Sequence, residues 1–269
     1  MPTWVNGRLC RTIDIRDRGL LYGDGLFETM RIMNGRIALL DFHLDRLLLG
    51  CRRLRIPAPA RPALRREIMR ASARNADAVA KLIVTRGVGE RGYRAPEPCR
   101  PTRILAVTAY VPTGDAPVRV RLCRTRIALN PVFAGLKTLN RLESVMARGE
   151  WRNSQFGEGL LQDADGNIVC GTMTNVFVGR DGRFVTPKLD RCGVAGVMRR
   201  WILESADSVG VKISEGRVRI DDLLAADEIF LSNAVIGIWS VGAIVSPKKL
   251  IKPALRTSAD ALRARFAAQ

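Results

Sequence analysis

The sequence predicts an α+β fold, because its strand-like and helix-like segments are grouped along the chain more than they alternate. Near the N-terminus two hairpin signals precede two helical segments, and in the C-terminal half several short strand-like segments follow one another before the next helix. Of the 269 residues, 47% are hydrophobic, which is typical of a globular chain and argues against disorder. The length fits two domains or one large one.

The N-terminal elements begin with two hairpins, since Asn6-Gly7 and Asn34-Gly35 each lie between strand-like segments and favour a two-residue turn. Asp41 is placed to cap a helix, DFHLDRLLLGCRRL, whose apolar residues recur at helical spacing. We predict a second helix over Ala63–Ala73 and then two buried strands, KLIVTRG and TRILAVTAYV.

A short segment rich in turn formers, VPTGDAP, predicts the domain boundary. The resulting parts are an N-terminal domain of residues 1–112, a linker of residues 113–118 and a C-terminal domain of residues 119–269. Hairpin turns are expected at Asp165-Gly166 and Asp181-Gly182, and helices near Gly196 and Asp221. The strands of this half are VRVRLCRT, EGLLQD, NIVCGT, TNVFVG and the strand-and-turn segment EIFLSNAVIGIWSV.

The formal charge of +18 comes from 44 basic residues against 26 acidic ones, and 37 of the basic residues are arginine. A nucleic-acid-binding surface usually concentrates its positive charge in one stripe, whereas this excess is spread over both halves of the chain. We therefore expect no nucleic-acid partner, and a basic nucleic-acid-binding protein is the alternative from another functional class. Its candidate surface is the arginine cluster Arg61, Arg65, Arg66, Arg70 and Arg74.

Scarce residue types argue against several kinds of active site. His43 is the only histidine, which argues against a histidine-based triad and a multi-histidine metal site. The six cysteines show no CxxC spacing, so neither a zinc ribbon nor a thioredoxin motif is predicted. No apolar run approaches the roughly 18 residues of a membrane helix, and the N-terminus lacks the apolar core of a signal peptide. We expect a cytoplasmic protein with no metal and no membrane partner.

Lys137 and the segment GVAGVMRRWILE are the first candidates for chemistry. Lys137 lies between Leu136 and Leu139, and apolar surroundings would lower the pKa of its amine and free it for a Schiff base. The alternative is a lysine at a helix start with its ammonium in solvent. The amides of Val197 and Met198 would be the first free N–H groups of a helix and could hold a phosphate, or the segment could be an ordinary turn.

The loop RGVGERGY (86–93) and one face of the first long helix are further candidates. An arginine can bind a carboxylate through two hydrogen bonds, so the loop is either an acid-binding loop or a solvated hairpin tip. His43 and Arg46 lie three residues apart on one helix face. A lone histidine there is most often a hydrogen-bonded packing residue.

Seven segments occur in a characteristic order: DRGLLYGDGLFET (17–29), HLDR (43–46), RGVGERGY (86–93), GLKTLNRLE (135–143), TNVF (174–177), TPKLDRCGVAGVMR (186–199) and ADEIFLSNAVIGIWSV (226–241). In this combination the chain resembles the fold-type IV pyridoxal 5'-phosphate (PLP) enzymes, which include branched-chain aminotransferases, D-amino acid aminotransferases and aminodeoxychorismate lyases. RGVGERGY, KTLNRLE and GVMR in place of the transaminases' usual GITR are most similar to the lyase branch.

The resemblance implies a small N-terminal α+β domain, a larger β-rich C-terminal domain, PLP as the cofactor between them, and a homodimer. It implies a PLP-dependent lyase that eliminates pyruvate from 4-amino-4-deoxychorismate, a small anionic substrate, and gives 4-aminobenzoate for folate synthesis. The alternative within the same family is a branched-chain or D-amino acid aminotransferase.

The resemblance also implies which residues hold the cofactor. Lys137 matches the Schiff-base lysine, Arg46 matches the arginine that binds the PLP phosphate, and the amides of Val197 and Met198 match the phosphate-binding helix start. Relatives carry a glutamate that pairs with the pyridine nitrogen where this chain has Cys170. A neutral thiol would leave the cofactor a poorer electron sink, which favours an elimination that forms an aromatic ring over transamination.

The remaining matched positions concern a second phosphate turn and the substrate. Asn233 and Ala234 lie in a turn that in relatives adds hydroxyl donors to the phosphate, and here that turn offers an amide and a methyl group. Arg91 and Tyr93 match the positions that hold the substrate carboxylate in D-amino acid aminotransferases. Those enzymes carry a tyrosine where this chain has Phe27, which argues against that activity.

Overall fold

The computed structural model describes residues 2–73, 75–112, 114, 116–152, 154–246 and 249–268. The chain divides into two compact units, one of Met1–Pro112 with Leu136–Asn140 and the other of Thr113–Gly135 with Arg141–Gln269. Each combines helices with a large sheet, so the predicted α+β fold is confirmed. Arg74 of the arginine cluster and positions 113 and 115 of the predicted linker lie outside the described residues.

Among the described residues, the first unit contains an antiparallel sheet of six strands in the order β2-β1-β6-β5-β3-β4. The strands are β1 (Thr3–Val5), β2 (Arg8–Leu9), β3 (Gly25–Met33), β4 (Arg36–Ile37), β5 (Asp77–Thr85) and β6 (Thr102–Ala109). The helices are α1 (Arg18–Tyr22), α2 (Leu40–Leu54) and α3 (Arg61–Ser72). Both predicted Asn-Gly hairpins are present, since β1 pairs with β2 and β3 pairs with β4.

The helix α2 covers one face of this sheet with the apolar residues that its periodicity predicted. Leu44, Leu47 and Cys51 are at most 1% exposed and belong to one core cluster with Met30 and Ile32 of β3. Burying a leucine-sized side chain contributes about 1.5–3 kcal/mol. The helix therefore positions its polar residues by burying the apolar ones.

The prediction that Asp41 caps this helix is wrong. The helix begins at Leu40, after Leu39 in the left-handed conformation, and Asp41 lies within the first turn. A carboxylate is favourable there because the helix N-terminus carries a partial positive charge. Asp41 accepts hydrogen bonds from Arg61 and Arg65, so two arginines of the cluster are engaged in ion pairs.

The second unit is built on a sheet in the order β12-β11-β10-β13-β14-β7-β8-β9, with β15 paired to β14. Its strands are β7 (Val118–Ile127), β8 (Glu158–Asp163), β9 (Ile168–Gly171), β10 (Asn175–Arg180), β11 (Arg183–Pro187), β12 (Lys212–Gly216), β13 (Glu228–Asn233), β14 (Gly237–Val245) and β15 (Leu250–Ile251). Its helices are α4 (Leu142–Arg148), α5 (Val197–Ser205), α6 (Ile220–Leu224) and α7 (Thr257–Ala267).

The predicted turns of this unit are confirmed, because β8 and β9 pair antiparallel across Asp165-Gly166 and β10 and β11 pair antiparallel across Asp181-Gly182. Phe177 and Phe230 stack at 4.6 Å between ring centroids and are both fully buried. Within the described residues, no helix has the length and apolar character needed to cross a membrane.

Candidate active site

Lys137 lies on a short extended segment that pairs with the start of β3. The amide of Phe27 donates to the Lys137 carbonyl at 3.0 Å, and the amide of Leu139 donates to the Gly25 carbonyl at 3.0 Å. The alternative of a lysine at a helix start is wrong, because the next helix begins only at Leu142. The half-buried side chain of Lys137 lies over Phe27, with 4.3 Å between Nζ and the ring centroid. An aromatic face attracts an ammonium group and so orients this amine.

Arg46 is held by a buried carboxylate that the sequence did not single out, Glu28 of β3. The Arg46 Nε donates to Glu28 Oε1 at 2.8 Å, and an Nη donates to Oε2 at 2.5 Å. His43 Nδ1 lies 2.6 Å from the same Oε2. The side chains of His43 and Glu28 are 0% and 2% exposed, and that of Arg46 is 12% exposed. The two residues that were three apart on the helix thus share one carboxylate.

The protonation states of this cluster follow from burial and charge. Burial acts to raise the pKa of Glu28, but the charge of Arg46 and the hydrogen bonds from Arg46 and His43 outweigh it and lower the pKa to about 2. Burial lowers the pKa of His43, and the charges of Arg46 and Lys137 add to that lowering against the effect of Glu28. Glu28 is therefore charged and His43 neutral at pH 7. Among the described residues, His43 Nε2 has no hydrogen-bond partner.

Arg91 and Tyr93 lie on the exposed loop between β5 and β6, in the same unit as Lys137. The Tyr93 side chain is 88% exposed, and its ring centroid lies 5.5 Å from that of Tyr22. Arg91 is exposed, and within the described ranges its side chain makes no hydrogen bond or ion pair. The loop thus presents a guanidinium and a phenol that are available to a carboxylate.

In the second unit, Cys170 lies on β9 as a half-buried thiol. Burial, helped by the charge of Glu158, raises the pKa of Cys170 to about 12. The thiol is therefore neutral at pH 7. Cys170 is followed by Gly171, where a Cβ would lie 2.1 Å from Thr174 Oγ1 and 2.8 Å from Glu158 Oε2, so only glycine fits.

Glu158, at the start of β8, is fully buried and closes the turn after Cys170. Its Oε1 accepts from the Gly159 amide at 2.8 Å and from the amide and hydroxyl of Thr172 at 3.0 and 2.5 Å. Its Oε2 accepts from the Met173 amide at 3.2 Å and the Thr174 hydroxyl at 3.0 Å. These donors occupy both oxygens, so Glu158 acts as a support for the turn.

The start of α5 is shaped by Asn175. The Asn175 Nδ2 donates to the Val194 carbonyl at 2.9 Å, and a Cβ at Gly196 would lie 2.0 Å from Asn175 Oδ1. The first intrahelical bond runs from the Arg200 amide to the Gly196 carbonyl at 2.9 Å. The amides of Val197 and Met198 therefore precede the helical hydrogen-bond ladder, as predicted for an anion-binding helix start.

Asn233 and Ala234 lie where β13 turns into β14. Asn233 Oδ1 accepts from the amides of Val235 and Ile236 at 2.9 and 2.7 Å, and its Nδ2 donates to the Met173 carbonyl at 3.4 Å. The Asn233 amide group is therefore engaged in closing its own turn. Ala234 contributes only a methyl side chain, as the sequence indicated.

Sequence reasoning missed Glu28, Glu158 and Asn175 as residues that position the site. A signal existed for Glu28, since a carboxylate within the otherwise apolar strand GLFETMRIM needs a buried partner, and His43 and Arg46 were available. No comparable local signal distinguishes Glu158, because four of the five donors described above belong to a turn more than ten residues further along the chain.

This fold and this set of residues define a class of enzyme. Residues 25–244 match the family model described as amino-transferase class IV. The chain belongs to this family. The resemblance drawn from the seven sequence segments is thereby confirmed for family and fold.

Individual relatives are similar over nearly the whole chain. The crystal structure of 4-amino-4-deoxychorismate lyase from Pseudomonas aeruginosa is 44% identical in sequence, with a TM-score of 0.93, and the match covers 99% of this chain and 98% of that one. Aminodeoxychorismate lyase from Vibrio harveyi is 31% identical over 252 residues, 92% of this chain and 93% of that protein. Aminodeoxychorismate lyase from Bacillus subtilis is 31% identical over 247 residues, 87% of this chain and 84% of that protein.

Proposed function

We propose that this protein is a PLP-dependent lyase that eliminates pyruvate from 4-amino-4-deoxychorismate and releases 4-aminobenzoate. The observation that carries the proposal is Lys137, whose amine lies against Phe27 in the unit that also contains the pair of Glu28 and Arg46. Similarity to lyases, at 44% identity over 99% of the chain in one case, favours this reaction over transamination.

The chemistry of the described groups fits PLP. The amine of Lys137 can combine with the aldehyde of the cofactor. The guanidinium of Arg46 suits a phosphate, and the buried Nε2 of His43, which lacks a hydrogen-bond partner among the described residues, can accept a hydrogen bond from a bound group. In the second unit, the amides of Val197 and Met198 precede the first intrahelical hydrogen bond of α5 and also suit a phosphate.

The protein's own groups then carry out the binding and the proton transfers. When bound, PLP withdraws electrons from the carbon atom that carries the substrate amine. Lys137 Nζ removes the proton from that carbon, and Lys137 or a water protonates the enolpyruvyl oxygen as its bond to the ring breaks. The ring becomes aromatic, which supplies a driving force, and the released enol converts to pyruvate. Arg91 and Tyr93 bind a carboxylate of the substrate.

Cys170 stands where relatives carry the glutamate that pairs with the pyridine nitrogen. A thiol with a pKa of about 12 is neutral at pH 7 and cannot stabilise a pyridinium as a carboxylate does. Transamination depends strongly on that charge, whereas an elimination that creates an aromatic ring depends on it less. Cys170 therefore supports the lyase reaction as the main activity.

We also propose a homodimer. The residues Leu142, Val145 and Met146 recur on one face of α4 and are 72%, 62% and 60% exposed. An exposed apolar face of this kind supports an interface between two chains. Sedimentation velocity should then give twice the chain mass of 29.7 kDa, and a monomer at micromolar concentration would contradict the dimer.

The test of the function combines a spectrum with a product assay. The PLP-loaded protein should absorb near the edge of the visible range, and borohydride reduction followed by peptide mass spectrometry should locate the cofactor on Lys137. The protein should release pyruvate from 4-amino-4-deoxychorismate, and Lys137→Ala should abolish both the absorbance band and the release. Lys81→Ala is the matched control, because the Lys81 Nζ also lies near Phe27, at 5.1 Å from its centroid, and this variant should keep both.

Two outcomes would contradict the proposal. One is a wild-type protein that binds no PLP, or a Lys137→Ala variant that keeps the absorbance band and the activity. The other is rapid conversion to the pyridoxamine form with D-alanine or a branched-chain amino acid and no pyruvate from 4-amino-4-deoxychorismate. The second outcome would favour an aminotransferase.

A further inference from the structure

Arg18 is a buried arginine that donates most of its side-chain hydrogen bonds to the loop that carries Arg91 and Tyr93. Only 4% of its surface is exposed. Its Nη1 donates to the carbonyls of Gly92 and Arg94 at 2.9 and 3.2 Å, and its Nη2 donates to the carbonyl of Tyr93 at 3.0 Å. One side chain thus binds three successive carbonyls of this loop.

The guanidinium of Arg18 is itself held in place by Asp24 and Tyr22. Its Nε donates to Asp24 Oδ2 at 2.9 Å, and Arg86 binds the two oxygens of Asp24 at 2.7 and 3.0 Å. Arg18 also lies over the ring of Tyr22, whose hydroxyl accepts from the Gly92 amide at 3.3 Å. Because its charge is paired and four of its five N–H groups are used, Arg18 has little capacity left for a substrate.

The base of the loop is attached to the same segment of chain. The Arg18 amide donates to the Gly87 carbonyl at 2.9 Å, and the Gly89 amide donates to the Arg16 carbonyl at 3.3 Å. Gly89 packs so closely on Arg18 that a Cβ there would lie 3.0 Å from Cδ. The backbone is therefore held at both ends, while the side chain of Arg91 stays exposed.

We propose that Arg18 is the positioning residue for carboxylate recognition: it holds the loop so that Arg91 and Tyr93 are presented before the substrate arrives. This inference rests on the proposed function. A loop of exposed, glycine-containing backbone would otherwise lose conformational freedom when the substrate binds, and that loss weakens binding. Arg18 therefore strengthens substrate binding and does not change the rate of the chemical step.

The central experiment compares Arg18→Lys with the wild type, both loaded with PLP. Lysine keeps a positive charge beside Asp24 but supplies a single nitrogen, which cannot bind three carbonyls at once. We expect KM for 4-amino-4-deoxychorismate to rise about tenfold and kcat to stay within about threefold. Arg16→Lys is the matched control, since Arg16 lies two residues earlier and pairs with Asp14 at the surface, and it should keep the wild-type KM.

A double-mutant cycle tests whether Arg18 acts through the loop. In an Arg91→Gln background the carboxylate partner is already removed, so Arg18→Lys should change KM by less than about twofold. Cleavage by trypsin after Arg91 and Arg94 reports the order of the loop without any substrate. It should be faster in Arg18→Lys than in the wild type or in Arg16→Lys.

If Arg18→Lys does not fold, Tyr22→Phe removes the acceptor of the Gly92 amide and should raise KM in the same direction by a smaller factor. The inference is overturned by a wild-type KM and wild-type cleavage rate in Arg18→Lys, by a fall in kcat at constant KM, or by a full-sized KM effect in the Arg91→Gln background. A wild-type protein that releases no pyruvate contradicts the proposed function instead, and the trypsin experiment still decides whether Arg18 holds the loop.

Discussion

Two buried glutamates, Glu28 in the first unit and Glu158 in the second, are satisfied in different ways. Glu28 is bound by the guanidinium of Arg46 and the imidazole of His43. Glu158 is bound by uncharged donors, namely the amides and hydroxyls of the turn at residues 172–174 and the amide of Gly159. Both carboxylates are at most 2% exposed, so burial alone does not distinguish them.

The difference lies in what each carboxylate does to its neighbours. Glu28 forms an ion pair with Arg46 and so orients the Arg46 guanidinium, which lies beside the neutral His43. Within the part of the chain that the structure describes, no cation donates a hydrogen bond to Glu158, and the charge of Glu158 helps to keep the Cys170 thiol protonated. Glu28 orients the cation of Arg46, whereas Glu158 stabilises a turn and disfavours the thiolate form of Cys170.

The largest expected effect is a loss of folding stability when the buried cluster of Glu28, His43 and Arg46 is disrupted. Glu28→Gln should lower the free energy of unfolding of the cofactor-free protein by about 3–5 kcal/mol, because it removes the buried negative charge that binds Arg46 and His43. Urea unfolding at pH 7 measures this. Asp41→Asn is the control, since it removes a carboxylate from exposed ion pairs in the same unit and should cost less than about 1 kcal/mol. Equal losses in both variants would show that the Glu28 cluster is no stronger than a surface pair.

The pH dependence of stability should come next in size. Because the pKa of Glu28 is lowered from 4.5 to about 2 by folding, its contribution is fully present above pH 4.5 and is lost as the pH falls towards 2. A shift of this size corresponds to about 3 kcal/mol. His43, whose pKa is lowered from 6.5, acts in the same direction from a higher pH. Unfolding free energies of Glu28→Gln should fall less steeply than those of the wild type below pH 4.5, and parallel curves would contradict the assignment.

A smaller loss of stability is expected from disrupting the turn at residues 172–174, which Glu158 holds. Glu158→Gln keeps one oxygen but places an NH2 group opposite donors, which leaves buried groups unpaired and should cost about 1–3 kcal/mol. Glu204→Gln, which breaks an exposed pair with Arg200, is the control and should cost about 0.5 kcal/mol or less. Thermal unfolding compared at equal protein concentration measures both. A Glu158→Gln protein as stable as the control would mean that the turn does not need its carboxylate.

The change with the smallest effect on the fold concerns Cys170. Cys170→Glu should raise the rate of conversion to the pyridoxamine form with amino acids relative to pyruvate release, because a carboxylate can hold a pyridinium where a thiol cannot. Cys170→Ser keeps a neutral group and should leave the ratio of the two rates unchanged. If Cys170→Glu also leaves this ratio unchanged, Cys170 does not face the cofactor nitrogen.

Several local features of the fold could be predicted from the sequence. The Asn-Gly and Asp-Gly hairpins, the apolar face of α2 and the helix start at Gly196 are local patterns, and each is found in the structure. The cap at Asp41 failed because the chain enters α2 through Leu39 in a left-handed conformation, and the pattern of residues alone does not reveal a backbone angle. The roles predicted for the site residues all stay predictions: Lys137, Arg46, Val197, Met198, Cys170, Asn233, Ala234, Arg91, Tyr93 and Phe27.

The sequence by itself determined most of the strands, most turns, the family and the short set of residues in which Lys137 and Arg46 stand out, because periodicity and motif order are properties of the chain. Only the tertiary structure decided which buried charges meet. Glu28 with Arg46, Glu158 with its turn and Arg18 with the loop of Arg91 are contacts between residues 14 to 76 positions apart. Such pairs form because a buried charge needs a partner to offset its desolvation cost, and which partner reaches it is set by the folded surroundings; a short segment such as GLFETMRIM shows at most that a partner is needed.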